Sequence, residues 1–75
     1  MKFLILWHHR SGCKMNFEYQ TTDVIECSPE DLDNKLMQVS NGYLIKERKR
    51  MDTLLPSDKG EQPPMVKAHQ ILILP

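Results

Sequence analysis

Two histidines, an arginine, a cysteine and a lysine lie close together after an apolar run at the start of this 75-residue sequence. His8, His9 and Cys13 are of the types that bind zinc. A cysteine beside a histidine can also act as a nucleophile. Either histidine, with Arg10 and Lys14, could supply an acid, a base and a phosphate clamp for a metal-independent ribonuclease. The residue types in this segment therefore allow three kinds of site: a zinc site, a cysteine nucleophile and a ribonuclease site.

The spacing of these residues supports none of the three. Structural zinc sites use four Cys or His ligands, commonly as two close pairs, and the sequence has no C-x-x-C or H-x-x-x-H pair. Adjacent residues of a strand point to opposite faces, so only one of His8 and His9 could join Cys13 and His69 in a site. We expect the histidines to mark the point where the strand reaches water. The sequence thus predicts no catalytic residue, no metal site and no cofactor.

The composition predicts one small globular domain over residues 1–75. Hydrophobic residues make up 40% of the chain and charged residues 27%, and the formal net charge is zero. A chain of this length buries only about 60% of the surface that its unfolded form exposes, so we do not expect a deep active site. Zero net charge gives no overall attraction to nucleic acid or to a membrane.

Three features favour a cytoplasmic protein. The two cysteines, Cys13 and Cys27, are too few for the disulfide framework of a small secreted domain, so we expect free thiols. The apolar run from Phe3 to Trp7 is too short for a signal peptide. No stretch approaches the roughly 20 apolar residues of a membrane span.

Two segments have apolar residues on both alternating faces. The segment from Lys2 to Trp7 is apolar at nearly every position, and the segment 66–74 ends in four successive apolar residues, Ile71 to Leu74; both patterns are typical of inner strands. The segment 15–20 alternates apolar and polar residues, which favours a half-buried strand that could resume at 24–27. The sequence therefore predicts an N-terminal hairpin and a further inner strand at the end of the chain.

The strongest local signal is a helix that begins after Ser28. Ser28 suits the N-cap, Pro29 suits the first helical position, and the acidic residues that follow complement the helix dipole. Apolar residues recur at helical spacing over 32–39, and the Asn-Gly pair at 41–42 is a typical helix end. We therefore expect a helix over residues 29–41.

The segment 43–54 is ambiguous between strand and helix, because three apolar residues precede a charged run. We favour a strand. The segment 56–64 contains three prolines and a glycine, which predicts a flexible loop. The elements in order are then strand, strand, helix, strand, strand.

These elements predict an α+β fold with a four-stranded mixed sheet and one helix. Because the first and last strands should be the inner ones, the predicted strand order is 2-1-4-3, and the helical crossover makes those two strands parallel. The arrangement resembles that of β-grasp folds, in architecture only. The alternatives are an all-antiparallel sheet and an exchanged strand.

One helix covers only one face of such a sheet. If it packs on the odd-numbered residues of the first strand, four leucines remain on the opposite face: Leu4, Leu6, Leu72 and Leu74. A contiguous apolar patch on the order of several hundred Å² usually marks an interface. We therefore expect a protein partner there, most simply a second copy in a homodimer; alternatively, the segment 56–64 folds over the leucines, or the last strand is an edge strand.

The zero net charge hides a separation of charge. Residues 16–33 contain six acidic residues and no lysine or arginine, whereas residues 46–50 read KERKR. On the predicted strand, Lys46, Arg48 and Arg50 share one face, which could contact a protein partner or a nucleic-acid backbone. Alternatively, these charges protect an exposed edge strand from further pairing.

Together these features predict a small non-enzymatic binding protein that acts through protein–protein interaction. An adaptor or inhibitor of a larger complex fits this description, and phage and other mobile elements encode accessory proteins of this kind. Nucleic-acid binding through residues 46–50 is the second hypothesis, and a metal-independent ribonuclease is the third. We expect no small-molecule substrate and no membrane partner.

Overall fold

The computed structural model describes residues 1–15 and 17–75. Its elements in chain order are β1 (Lys2–Arg10), β2 (Glu18–Glu26), a 3-10 turn (Pro29–Asp31), α1 (Leu32–Asp52), a second 3-10 turn (Pro56–Asp58) and β3 (Met65–Leu74). Within the described residues, the fold is therefore α+β, with one α-helix and a three-stranded antiparallel sheet of order β2-β1-β3.

β1 and β2 form the predicted hairpin. Lys2 lies opposite Glu26 at one end, and Arg10 lies opposite Glu18 at the other. β2 is one continuous strand, because threonine, valine and isoleucine occupy most of positions 21–25 and favour extended backbone. Asn16, inside the predicted second strand, lies outside the described residues.

The predicted strand over 43–54 is wrong, because α1 continues through this segment to Asp52. Gly42 does not end the helix: a Cβ at this position would meet no atom within 4 Å, so the position is open and the helix passes through it. Most of the residues that follow are good helix formers. Lys49 and Arg50 in the last turn also complement the negative end of the helix dipole.

Without that strand, the predicted four-stranded sheet and the order 2-1-4-3 do not form. β3 lies beside β1, but the two strands are antiparallel, with Lys2 opposite Leu74. The reason is length: 21 residues of α1 at about 1.5 Å and nine residues of β1 at about 3.3 Å both span roughly 30 Å. The helix thus returns the chain along the whole sheet before β3 begins beside Arg10.

The register between β1 and β3 shifts once, between Leu6 and Trp7. Leu6 pairs with Gln70 and Trp7 pairs with Ala68, so His69 is the extra residue of β3. β3 is an edge strand of the sheet, and the expectation that it is an inner strand is therefore wrong.

The core lies between α1 and one face of the sheet. Phe3, Ile5 and Trp7 are at most 3% exposed, and Ile25 of β2 joins them. One stripe of α1 packs against these residues: Leu32, Leu36, Val39 and Tyr43. The odd-numbered residues of β1 therefore point to the helix, and the even-numbered residues point to the other side of the sheet.

The segment 56–64 packs against the turn that follows β1. The backbone N–H of Gly60 donates to the carbonyl oxygen of Gly12 at 2.7 Å. A Cβ on Gly60 would lie 2.8 Å from the carbonyl oxygen of Cys13, so glycine permits this close approach. The guanidinium of Arg10 also donates to the carbonyl oxygen of Pro63 at 3.1 Å. These contacts attach the segment to the Arg10 end of the sheet.

Candidate functional site

The sheet face opposite α1, here called the open face, carries an apolar surface formed by Leu4, Leu6, Val24, Leu72 and Leu74. Its central row joins Leu4 to Val24 of β2 on one side and to Leu72 of β3 on the other. Val24 is 60% exposed and Leu72 is 42% exposed. The four leucines predicted to share a face therefore do so, together with Val24.

Polar and charged residues border the open face at both ends. Lys2 lies opposite Glu26 beside Leu74 at one end. At the other end, His8 Nε2 lies 3.5 Å from Glu18 Oε1. An apolar centre with a polar rim is the usual anatomy of a protein interface.

β3 is exposed on both of its faces near its end. Val66 and Ala68 pack against the core, whereas Ile71 is 41% exposed and Ile73 is 65% exposed on the same side. Leu72 is exposed on the open face. Successive apolar residues indicate burial on both sides, but here they belong to a strand whose outer edge has no neighbouring strand among residues 1–15 and 17–75.

The three basic residues predicted to share one strand face lie on α1 instead. On a helix, Lys46 and Arg50 are one turn apart, while Arg48 points to a different side. The guanidinium of Arg50 turns toward the sheet end and donates to Ser11 Oγ at 3.0 Å and to Cys13 Sγ at 3.1 Å. The predicted basic strand face is therefore absent, and these charges do not protect a strand edge.

Glu47 holds the Arg50 side chain in this position. Arg50 Nε donates to Glu47 Oε2 at 3.1 Å. Hydrogen bonds from Arg50 keep the pKa of Glu47 below its usual range, and Glu47 in turn raises the pKa of Arg50. The backbone N–H of Cys13 donates to Ser11 Oγ at 3.0 Å. This polar cluster attaches the end of α1 to the turn after β1.

His9 is buried, so the expectation that both histidines lie at the surface is wrong for this residue. Its side chain is 3% exposed, stacks on Tyr19 with ring centroids 4.5 Å apart, and meets Tyr43 at 4.7 Å. His9 Nε2 and Thr21 Oγ1 are hydrogen-bonded at 2.6 Å. Burial lowers the pKa of His9, and the neighbouring His8 lowers it further. The odd-numbered position on β1 is the sequence signal that predicts this burial.

Tyr43 connects α1 to β2. Its hydroxyl donates to Asp23 Oδ2 at 2.5 Å, and its ring lies edge-on to Trp7 with centroids 5.9 Å apart. Burial raises the pKa of Tyr43, and the hydrogen bond with Asp23 raises it further. The sequence does not predict this contact, because no spacing rule joins a helix residue to a strand residue 20 positions earlier.

The groups considered for catalysis do not converge on one point. His8 and Arg10 are on the open face of β1, whereas His9 points to the opposite side. The Cys13 sulfur accepts a hydrogen bond from Arg50. No group of three or more His, Cys, Asp or Glu side chains that could hold a metal ion occurs among residues 1–15 and 17–75. The rings of His8 and His69 lie 6.4 Å apart.

A groove of about 490 Å³ lies beside the turn after β1. Its lining is mostly polar and has charges of both signs: Cys13, Lys14, Ser57, Lys59, Gly60, Glu61 and Gln62. Cys13 and Cys27 are both free thiols. The groove therefore offers neither an apolar pocket nor a single-sign anion site.

In the part of the chain that the structure describes, no helix is both long enough and apolar enough to cross a lipid bilayer. No protein-family model, no curated protein and no solved structure matches this chain.

Proposed function

We propose that this chain is a small non-enzymatic binding protein whose open face docks on another protein, as an adaptor or an inhibitor does. The observation that carries the proposal is the apolar surface of Leu4, Leu6, Val24 and Leu72 on the sheet face opposite α1. Monomeric soluble proteins rarely leave such a surface uncovered unless it binds something.

The composition of the open face fits a protein better than a small molecule or a nucleic acid. Small ligands bind in concave sites, whereas the apolar row spans three strands of the sheet and contributes no residue to the groove beside the turn after β1. Its charged residues are of both signs and lie at the rim, as Lys2 and Glu26 do. A phosphate backbone requires a surplus of positive charge instead.

The arrangement of the titratable groups supports a non-enzymatic function. A general acid and a general base must both reach the reacting group. His8 and His9 point to opposite faces of β1, and His9 is enclosed by Tyr19 and Tyr43. The Cys13 sulfur is already engaged by Arg50.

Nucleic-acid binding is the second candidate, because Lys46, Arg48 and Lys49 are exposed on the last turns of α1. Stacking aromatics are what usually hold single-stranded bases, but Tyr43 points into the sheet. Fluorescence anisotropy tests this candidate. Binding of labelled single-stranded RNA is measured at about 50 mM and about 200 mM salt, because contacts with phosphates weaken as the salt concentration rises. Nucleic-acid binding is supported over protein binding if the affinity falls steeply as salt is raised and falls again in the Lys46→Gln and Arg48→Gln variants.

Site-specific photo-crosslinking in living cells tests docking on the open face. A benzophenone amino acid replaces Val24, which is 60% exposed at the centre of that face. The matched control replaces Gln38, which is exposed on α1. We expect a discrete adduct with a protein from position 24 and none from position 38. Equal adducts from both positions, or none from position 24, contradict the proposal.

A further inference from the structure

The outer edge of β3 combines three features that promote pairing with another strand. In the part of the chain that the structure describes, β3 is at the edge of the sheet, so its outward N–H and C=O groups have no partner strand. Ile71, Leu72 and Ile73 are 41%, 42% and 65% exposed. Residues 68–74 contain no Asp, Glu, Lys or Arg. Proteins normally protect a free edge with charges, proline or a bulge; the extra residue of β3 lies at His69, and residues 70–74, which follow it, have none of the three before Pro75.

The opposite edge of the sheet is protected. β2 carries Glu18, Asp23 and Glu26 along its length. Two copies of β2 brought side by side would place these carboxylates near one another, and like charges on neighbouring strands are destabilising. The edge available for pairing is therefore that of β3.

We propose that β3 pairs antiparallel with β3 of a second copy, centred on Leu72, to give a six-stranded sheet of order β2-β1-β3-β3-β1-β2. The pairing itself does not depend on the proposed function; only the docking of the joined sheet on a partner protein rests on it. An uncharged segment is complementary to itself, which favours a second copy as the partner. Antiparallel pairing also separates the two Lys67 side chains by roughly 30 Å, whereas parallel in-register pairing would set them side by side.

The helix side of the edge also fits a second copy. Pairing centred on Leu72 places Ile71 of one copy opposite Ile73 of the other. Met37, which is 63% exposed, shares a helix stripe with Ser40, and Ser40 Oγ donates to the carbonyl oxygen of Val66 in β3. The two helices then lie on the same side of the joined sheet. The exposed isoleucines and Met37 fill the space between them.

Pairing through β3 doubles the open face. Three strands about 4.8 Å apart and roughly 30 Å long give one copy an open face of about 430 Å². A standard protein interface buries about 800 Å² on each partner, so one copy offers about half of that area. Because the paired sheets are continuous and both helices lie on one side, the two open faces join into a single surface of the usual size. The dimer is therefore the form that docks on a partner.

Light scattering on a sizing column, over a range of protein concentrations, tests the edge pairing. We expect the natural protein to be a dimer of its 8.8 kDa chain. Ile73→Lys should weaken dimerisation by about 100-fold, because it places a charge on the paired edge, while circular dichroism remains unchanged, since this side chain is 65% exposed. Val24→Lys is the matched control: its side chain is similarly exposed, but it lies on β2, so the dimer should persist.

A disulfide measurement tests the register independently of any loss of folding. In a Cys13→Ser, Cys27→Ser background, Leu72→Cys should form an intermolecular disulfide on mild oxidation, because the paired Cα atoms fall within bonding range. Val24→Cys in the same background should not. A monomeric natural protein overturns the edge pairing and leaves the open face to be tested by crosslinking. A dimer that Val24→Lys dissociates and Ile73→Lys does not also overturns it, and assigns self-association to the open face.

Discussion

The hydroxyl of Tyr43 is a polar contact between α1 and the edge strand β2, and its removal should reduce stability. In Tyr43→Phe the ring keeps its contacts with Trp7 and His9, so the main loss is the hydrogen bond to Asp23. Hydrogen bonds to a charged group contribute about 1.5–3 kcal/mol, and partial exposure of Tyr43 places this one near the lower end. We expect the free energy of unfolding to fall by about 1–2 kcal/mol and Tm by roughly 5–15 °C.

Urea unfolding followed by tryptophan fluorescence measures this loss. Trp7 is the one tryptophan of the chain and is buried against Tyr43. Asp23→Asn is the matched variant, because it keeps an acceptor of the same shape without the charge, and it should lose less stability. Asp23→Ala removes the acceptor altogether, so in the Tyr43→Phe, Asp23→Ala double variant the two losses should not add, and a coupling energy of about 1 kcal/mol would isolate the hydrogen bond.

Two results would refute this reasoning. The first is a loss below about 0.3 kcal/mol in Tyr43→Phe, and the second is strict additivity in the double variant. Either result would mean that the Tyr43 hydroxyl does not hold α1. The position of the helix would then rest on its apolar stripe against Phe3, Ile5 and Trp7 alone.

Three further predictions concern stability. Burial lowers the pKa of His9 from 6.5, so the unfolded chain binds the proton more tightly: stability should be complete above pH 6.5 and fall as the pH drops through the folded-state pKa. Urea unfolding measured across this pH range should show a smaller decrease in stability for His9→Gln than for the natural protein. An unchanged decrease contradicts the assignment of this pH dependence to His9. Ile5→Ala should cost about 2–5 kcal/mol and Val24→Ala under about 0.5 kcal/mol, because Ile5 is fully buried and Val24 is exposed; equal losses would place the core elsewhere. Gly60→Ala should destabilise by about 1–3 kcal/mol because its Cβ would meet backbone, whereas Gly42→Ala should stabilise the exposed helix by about 1 kcal/mol; thermal melts that reverse this order contradict both.

The sequence predicted the structure correctly where the burial of a residue depends on one periodic pattern and one neighbouring element. The alternation of β1 predicts which residues face the helix, and the structure places Phe3, Ile5 and Trp7 there. The same parity applies to His9, whose polar type suggested the surface instead. Burial of His9 depends on Tyr19, Thr21 and Tyr43, and those partners come from two other elements.

The errors arose where a local signal competes with tertiary packing. Asn41-Gly42 is a typical helix end, but Tyr43 continues the apolar stripe and gains a partner in Asp23, so the helix continues. The apolar run of β3 indicates a strand that is buried on both sides. A strand that is buried only after a second chain joins it would have the same pattern.

The pairing of β1 with β3 joins residues from opposite ends of the described chain, such as Lys2 and Leu74. Contacts of this kind form slowly, because a long loop must close before any of them is gained. The hairpin of β1 and β2 should therefore fold first, with β3 joining last. In that interval the second edge of β1 accepts β3 from its own chain or from another molecule. At low protein concentration during refolding, β1 should therefore pair with β3 of its own chain, whereas high concentration favours exchange of β3 between molecules.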